Sequence, residues 1–146
     1  MSKSLSAGEK FELLVEIMDT LRGDQGCPWD REQDENSIVN YFLEEVYEAV
    51  DAVASGDVQS LKEELGDVLM EVVFLSRIFQ ERADFTVTDV LDGINQKMIR
   101  RHPHVFGRKQ VHSSAKVLDV WNKQKKTEKE RVSILDGIAE ILPALL

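Results

Sequence analysis

The chain has 146 residues, of which 42% are apolar and 31% charged, and its formal net charge is −9. This length suits one domain with its own core, and the acidic charge argues against a general binder of nucleic acid or anionic membranes. The single cysteine excludes an intrachain disulfide and a cysteine-rich metal cage. No membrane span or signal-peptide pattern is recognised, so we expect a cytoplasmic protein with residues 1–146 as a single domain.

Apolar residues recur at three- and four-residue spacings along most of the chain, which predicts an all-α fold. The pattern predicts five helices, approximately residues 7–22, 37–54, 57–82, 87–101 and 114–130. Residues 24–35 contain Gly26 and Pro28 and are predicted as a structured loop. The tail, residues 131–146, is apolar and ends in Leu-Pro-Ala-Leu-Leu, which suggests either a truncated chain or a surface for a partner.

The third predicted helix has apolar side chains on all sides between Val68 and Phe79. A helix that is apolar all round is buried all round, and an α-protein of this length has few places that bury one completely. We therefore expect an oligomer with this helix in its interface. The short turn around Gly56 favours antiparallel pairing of the second and third helices.

Acidic residues three positions apart occur on both of these helices, as Glu45 with Glu48 and as Glu64 with Asp67. Residues at this spacing share one helix face, and antiparallel pairing can bring both pairs to a similar level. Carboxylates that converge beside apolar surface repel one another, and a divalent cation relieves that repulsion. Ligands that are all oxygen suit Mg²⁺ or Mn²⁺. The alternative for either pair alone is an ordinary solvated helix face.

A glycine inside the third predicted helix strengthens the case for a site. Gly66 lies between Glu64 and Asp67, and glycine in a helix costs about 1 kcal/mol relative to alanine. We therefore expect a backbone or a ligand to approach closely at this position. Glu44, in contrast, points away from the apolar stripe that Glu45 adjoins.

The pattern Glu44-Glu45-x-x-Glu48 followed by Glu64-x-x-Asp67 resembles the EExxE…ExxD signature of the MazG nucleotide pyrophosphohydrolases. Other segments are similar to the same family, namely residues 26–30 (GCPWD), 63–69 (EELGDVL), 100–106 (RRHPHVF) and 142–145 (LPAL). The resemblance extends over residues 10–146. It is greatest to the amino-terminal MazG domain of proteins that carry two such domains in tandem.

This resemblance implies an antiparallel helix bundle completed by dimerisation, as a homodimer or a dimer of dimers. It implies Mg²⁺-dependent hydrolysis of NTPs or dNTPs to NMPs or dNMPs and pyrophosphate, with Mn²⁺ as a substitute ion. The metal ligands and catalytic residues it implies are Glu45, Glu48, Glu64 and Asp67, the same residues that helical spacing selects. Glu71 is outside the signature and is a candidate only for an indirect role. The alternative is a catalytically weak or inactive domain that binds nucleotide and dimerises within a tandem protein.

A cluster of cations near the end of the fourth predicted helix provides candidates for phosphate binding. Lys97, Arg100 and Arg101 share one helix face and can contact phosphate oxygens together. Cations at a helix C-terminus also complement the helix dipole without any ligand. The resemblance favours nucleotide binding for these three residues.

Aromatic residues provide further candidates for the nucleotide site. The resemblance implies that Trp121 and Lys125, one turn apart, belong to it. Tyr41 lies one turn before Glu45 and faces the same way, so it either stacks on a base or sugar or packs in an interface. The scattered histidines, His102 and His104 among them, do not form a zinc site and are predicted as loop or core residues.

Overall fold

The computed structural model describes residues 4–107 and 113–129. Within these ranges the chain forms helices and no strand, so the predicted all-α class is confirmed. The helices are α1 (Ala7–Arg22), α2 (Pro28–Glu32), α3 (Glu35–Ser55), α4 (Val58–Glu81), α5 (Val87–Arg101) and α6 (Ser114–Lys129). Residue 130 and the predicted tail, 131–146, lie outside the described residues.

The predicted helices agree with the structure except between α1 and α3. The prediction of a loop over residues 24–35 is wrong in part, because Pro28–Glu32 form the short helix α2. Proline is favoured at the first position of a helix, where its missing N–H has no partner to lose. Helix α3 begins two residues earlier than predicted because the Asp34 side chain accepts hydrogen bonds from the backbone N–H groups of Asn36 and Ser37.

The chain comprises two compact units, Met1–Val90 and Leu91–Leu146. The core of the first unit contains residues from α1, α3, α4 and the start of α5, namely Met18, Ile38, Val73, Phe74, Ile78 and Val87. Two compact units can belong to one domain, so a single domain over residues 1–146 stays a prediction.

Helices α3 and α4 form an antiparallel pair, as predicted from the turn around Gly56. Gly56 ends α3 in the left-handed conformation with φ 73°, and the Asp57 side chain caps the start of α4. At the other end of the pair, Arg82 forms an ion pair with Glu35, so the end of α4 lies beside the start of α3. As a result, a residue of α3 and a residue of α4 that are equally far from Gly56 in the sequence lie at the same height along the helix pair.

The Arg22 side chain connects the end of α1 with α4 and with α2 through hydrogen bonds. Its buried guanidinium donates two hydrogen bonds to the Glu81 carboxylate, with N···O distances of 2.7 and 2.8 Å. It also donates to the backbone carbonyls of Asp30 and Gln33. These bonds hold the short helix α2 beside the C-terminal ends of α1 and α4.

No helix in the described part of the chain is both long and apolar enough to cross a membrane.

Gly66 lies on an exposed part of α4. Apart from the adjoining backbone of α4 itself, a Cβ atom built there would meet no atom of the described residues within 4 Å. No backbone among the described residues therefore approaches Gly66, and the expected approach of a ligand stays a prediction.

We expect Gly66→Ala to stabilise the protein by about 1 kcal/mol, because alanine restricts the unfolded chain and has room in the helix. Gly56→Ala is the matched comparison and should lose about 1 kcal/mol, since φ 73° disfavours a side chain. Urea unfolding of the three proteins measures both effects. A destabilised Gly66→Ala variant would contradict the open environment seen at this position.

Candidate metal centre

The carboxylate pairs of α3 and α4 meet because the two helices are antiparallel. Glu45 and Asp67 lie at equal sequence distances on either side of Gly56. Glu48 and Glu64 are likewise equidistant from Gly56. The turn therefore places each α3 carboxylate at the level of one from α4.

Three of the predicted ligands converge closely. Glu45, Glu48 and Glu64 each offer a carboxylate oxygen, and these three oxygens lie within 4.8 Å of one another. Glu45 and Glu64 are half-buried, whereas Glu48 is exposed. Asp67 is half-buried and is not in this group of three, although its charge acts on Glu45 and Glu64.

The negative charges of these carboxylates repel one another, which affects the pKa values of Glu45 and Glu64. Burial raises the pKa of Glu45, and the negative charges of Asp67 and Glu48 raise it further. Burial and the charges of Glu48 and Asp67 also raise the pKa of Glu64, against a lowering by its hydrogen bond with Glu45. The cluster therefore favours any species that reduces its negative charge.

The donor set fits a hard divalent cation. Oxygens on opposite sides of an octahedral Mg²⁺ are about 4.2 Å apart, so oxygens that lie within 4.8 Å need only small side-chain movements to reach one ion. Carboxylates suit Mg²⁺ or Mn²⁺ better than a zinc ion, which prefers nitrogen and sulfur ligands. Glu45, Glu48 and Glu64 are the residues that could hold such an ion directly, with Asp67 beside them.

Glu71 is a fifth carboxyl group next to this cluster. Only 4% of the residue is exposed, and its Oε2 atom has no hydrogen-bond partner among the described residues. Burial raises the pKa of Glu71 to about 7, and the charges of Glu45 and Asp67 contribute to the increase.

We expect the metal-free protein to gain stability as the pH falls from about 8 to about 5. The Glu71 pKa is about 7 when folded against an ordinary 4.5, so the folded state binds more protons between these values. The stability that protonation confers is complete below the ordinary value and is lost as pH rises through about 7. Thermal melts in chelator should show this slope, and Glu71→Gln should remove most of it. Equal slopes for both proteins would contradict the prediction.

Tyr41, the aromatic candidate for nucleotide binding in the first unit, packs against a second aromatic ring. Tyr41 is 40% exposed, and its ring meets that of Trp29 edge-on, with ring centroids 5.9 Å apart. Trp29 belongs to α2, so the short helix that the sequence did not reveal positions this pair. Tyr41 remains partly exposed, and its contact with a nucleotide stays a prediction.

In the second unit, the structure brings Arg101 and Trp121 together. Arg101 is buried, and its guanidinium carbon lies 5.3 Å from the centroid of the Trp121 ring. His102 approaches the same indole edge-on, with centroids 4.9 Å apart. The sequence does not predict this contact of His102 with Trp121, since no local spacing signals a contact between residues so far apart in the chain.

The other basic candidates differ in exposure. Lys97 and Lys125 are half-buried, and Arg100 is exposed. Arg101 shares a helix face with Lys97, yet its guanidinium lies over an indole ring. Their roles in nucleotide binding stay predictions.

Together, the fold and the site define an all-α protein with a carboxylate cluster between two antiparallel helices. The sequence model of the MazG nucleotide pyrophosphohydrolase domain matches residues 33–106, which include α3, α4 and α5. The chain belongs to this family, and the resemblance found in its motifs is confirmed.

Proteins similar to this chain carry related names. It is 44% identical over 139 residues to the nucleoside triphosphate pyrophosphohydrolase/pyrophosphatase MazG of Thermotoga maritima, covering 95% of this chain and 54% of that protein. It is 41% identical over 141 residues to the nucleoside triphosphate pyrophosphohydrolase of Escherichia coli K12, covering 94% and 54%. The chain thus spans about half the length of these curated relatives.

A solved structure has a similar fold. The crystal structure of a mazG-related protein from Thermotoga maritima superposes with a TM-score of 0.67 at 25% sequence identity. The match covers 79% of this chain and 98% of that chain. This agreement supports the helical architecture described above.

Proposed function

We propose that the chain is a Mg²⁺-dependent nucleoside triphosphate pyrophosphohydrolase, which converts an NTP or dNTP and water to the monophosphate and pyrophosphate. The observation that carries this proposal is the convergence of Glu45, Glu48 and Glu64 in a member of the MazG family. The names of the relatives from Thermotoga maritima and Escherichia coli support the same reaction.

In the proposed reaction, Glu45, Glu48, Glu64 and Asp67 hold the cation. When bound, Mg²⁺ supplies Lewis-acid chemistry, which neutralises phosphate charge and makes water more acidic. The water oxygen attacks the α-phosphorus, the bond from this phosphorus to the bridging oxygen breaks, and pyrophosphate leaves. One of the cluster carboxylates accepts the proton that the water loses.

The chain's basic residues provide the complementary charge. Lys97, Arg100 and Arg101 neutralise the negative charge that develops on the phosphates. Trp121, Lys125 and Tyr41 contact the rest of the nucleotide. Stacking against Trp121 restricts the Arg101 side chain, so less conformational freedom is lost when it binds phosphate.

One assay tests the reaction. The protein is incubated with a panel of NTPs and dNTPs and Mg²⁺, and the products are separated. Monophosphate and pyrophosphate are expected in equal amounts. Orthophosphate as the primary product, or no turnover of any substrate, would contradict the proposal.

A second candidate function is nucleotide binding and dimerisation without turnover. It rests on the resemblance of residues 26–30 and 100–106 to the amino-terminal MazG domain of tandem proteins, since that copy need not be the active one. Both candidates predict that a triphosphate with Mg²⁺ stabilises the protein. They differ in pyrophosphate release, which is expected of the enzyme and not of the binding domain.

The proposed partner of this chain, besides the nucleotide, is a second copy of it. Leu65 and Leu69 are one turn apart on α4, and each is more than 40% exposed. Apolar side chains exposed at this spacing are typical of helices that pack against a partner. We expect a dimer or a dimer of dimers by light scattering at micromolar concentration, and a smaller species for Leu69→Glu. A monomeric parent protein would contradict this prediction.

A further inference from the structure

Glu71 occupies the face of α4 that carries the metal candidates. It lies four residues after Asp67 and seven after Glu64, and these spacings place all three side chains on one side of the helix. The charges that act most strongly on Glu71 are those of Glu45 and Asp67. Glu71 is therefore the innermost carboxyl group of an acidic row along α4.

The surroundings of Glu71 in the described part of the chain leave one of its carboxylate oxygens buried without a hydrogen-bond partner. The residue is 4% exposed, and its Oε2 atom has no hydrogen-bond partner among the described residues. Its neighbours Met70, Val73 and Phe74 belong to the apolar core or pack against it. A buried carboxylate without a partner is destabilising, and the nearby carboxylates add repulsion. The group that would stabilise Glu71 is a cation.

We propose that Glu71 is a fifth carboxylate of the cation site, which contributes its negative charge to divalent-ion binding from the buried side of Glu45 and Asp67. This inference rests on the proposed function, since it concerns the same ion. Glu71 is a positioning residue in this role, because it acts on the substrate only through the ion and its ligands.

A structural role for Glu71 is the competing account. A protonated Glu71 that only fills space has no effect on the affinity for an ion. Glutamine has nearly the same shape and no charge, so Glu71→Gln separates the two accounts. Glu71→Asp keeps the charge on a shorter side chain and tests whether charge is the property that matters.

The experiment measures Mn²⁺ binding without nucleotide, by electron paramagnetic resonance of the free ion. We expect Glu71→Gln to weaken the affinity about tenfold, as loss of a group behind metal ligands commonly does. Glu71→Asp should retain more affinity than Glu71→Gln. Glu12→Gln removes the same charge from an exposed position on α1 and should leave the affinity within about twofold.

The outcomes distinguish this inference from the proposed function. If the parent protein binds no Mn²⁺, the proposed metal-dependent function fails. If the parent binds and Glu71→Gln binds equally well, only the role of Glu71 is overturned. It is also overturned if Glu71→Asp restores no affinity relative to Glu71→Gln, or if Glu71→Gln fails to fold, since either result indicates a structural role.

Discussion

Replacing any one of the four signature carboxylates by its amide should reduce Mg²⁺-dependent hydrolysis by more than about a hundredfold. The variants are Glu45→Gln, Glu48→Gln, Glu64→Gln and Asp67→Asn. Loss of groups that only support metal ligands already costs about 10- to 100-fold, so loss of a ligand should cost more. Steady-state measurement of pyrophosphate release tests this expectation.

The same variants should keep or increase stability when no metal is present. Repulsion between the carboxylates raises the pKa of Glu45 and of Glu64, and removing one negative charge relieves it. Glu44→Gln is the matched control, since Glu44 is exposed beside Glu45 and should have a mild effect on activity. Large destabilisation of all four variants in chelator would contradict the site, because these side chains would then support the fold.

Divalent cations should raise the melting temperature of the protein by several degrees. An ion that binds only the folded state, at about 100 times its Kd, adds roughly 2.7 kcal/mol of stability. For a chain of this size that free energy corresponds to a shift of several degrees. Scanning calorimetry with Mg²⁺ or Mn²⁺ measures it, and monovalent salt at matched ionic strength should do much less.

A non-hydrolysable triphosphate should raise the melting temperature further in the presence of the ion. The additional increase should depend on Lys97, Arg100 and Arg101, and alanine variants of these residues test that dependence. Glu45→Gln should lose most of the response to the ion itself. A melting curve indifferent to both divalent ions and nucleotide would contradict both functions proposed above and would leave a helical scaffold with a solvated acidic surface.

The helices and their ends follow from local features of the sequence. Three- and four-residue spacing of apolar side chains predicts the helices because the period of the α-helix is a property of the backbone alone. The turn at Gly56 depends on one residue that tolerates positive φ, and the caps depend on side chains that reach the backbone within three residues. The pairing of Glu45 and Glu48 with the α4 carboxylates follows from that turn.

Other features depended on contacts between distant parts of the chain. Helix α2 is too short to show a period, and Arg22 holds it through bonds to Asp30 and Gln33. The stacking of Arg101 on Trp121 joins two helices that no local spacing relates.

The site itself divides in the same way. The sequence alone predicts which four carboxylates are the candidate ligands and which class of ion such oxygen ligands prefer. Only the tertiary structure decides that Glu45, Glu48 and Glu64 are the three that converge most closely, because side-chain distances depend on how α3 and α4 pack. It also decides that Glu71 is buried and that its Oε2 atom has no hydrogen-bond partner among the described residues, since burial is a property of the packed core and not of helical spacing.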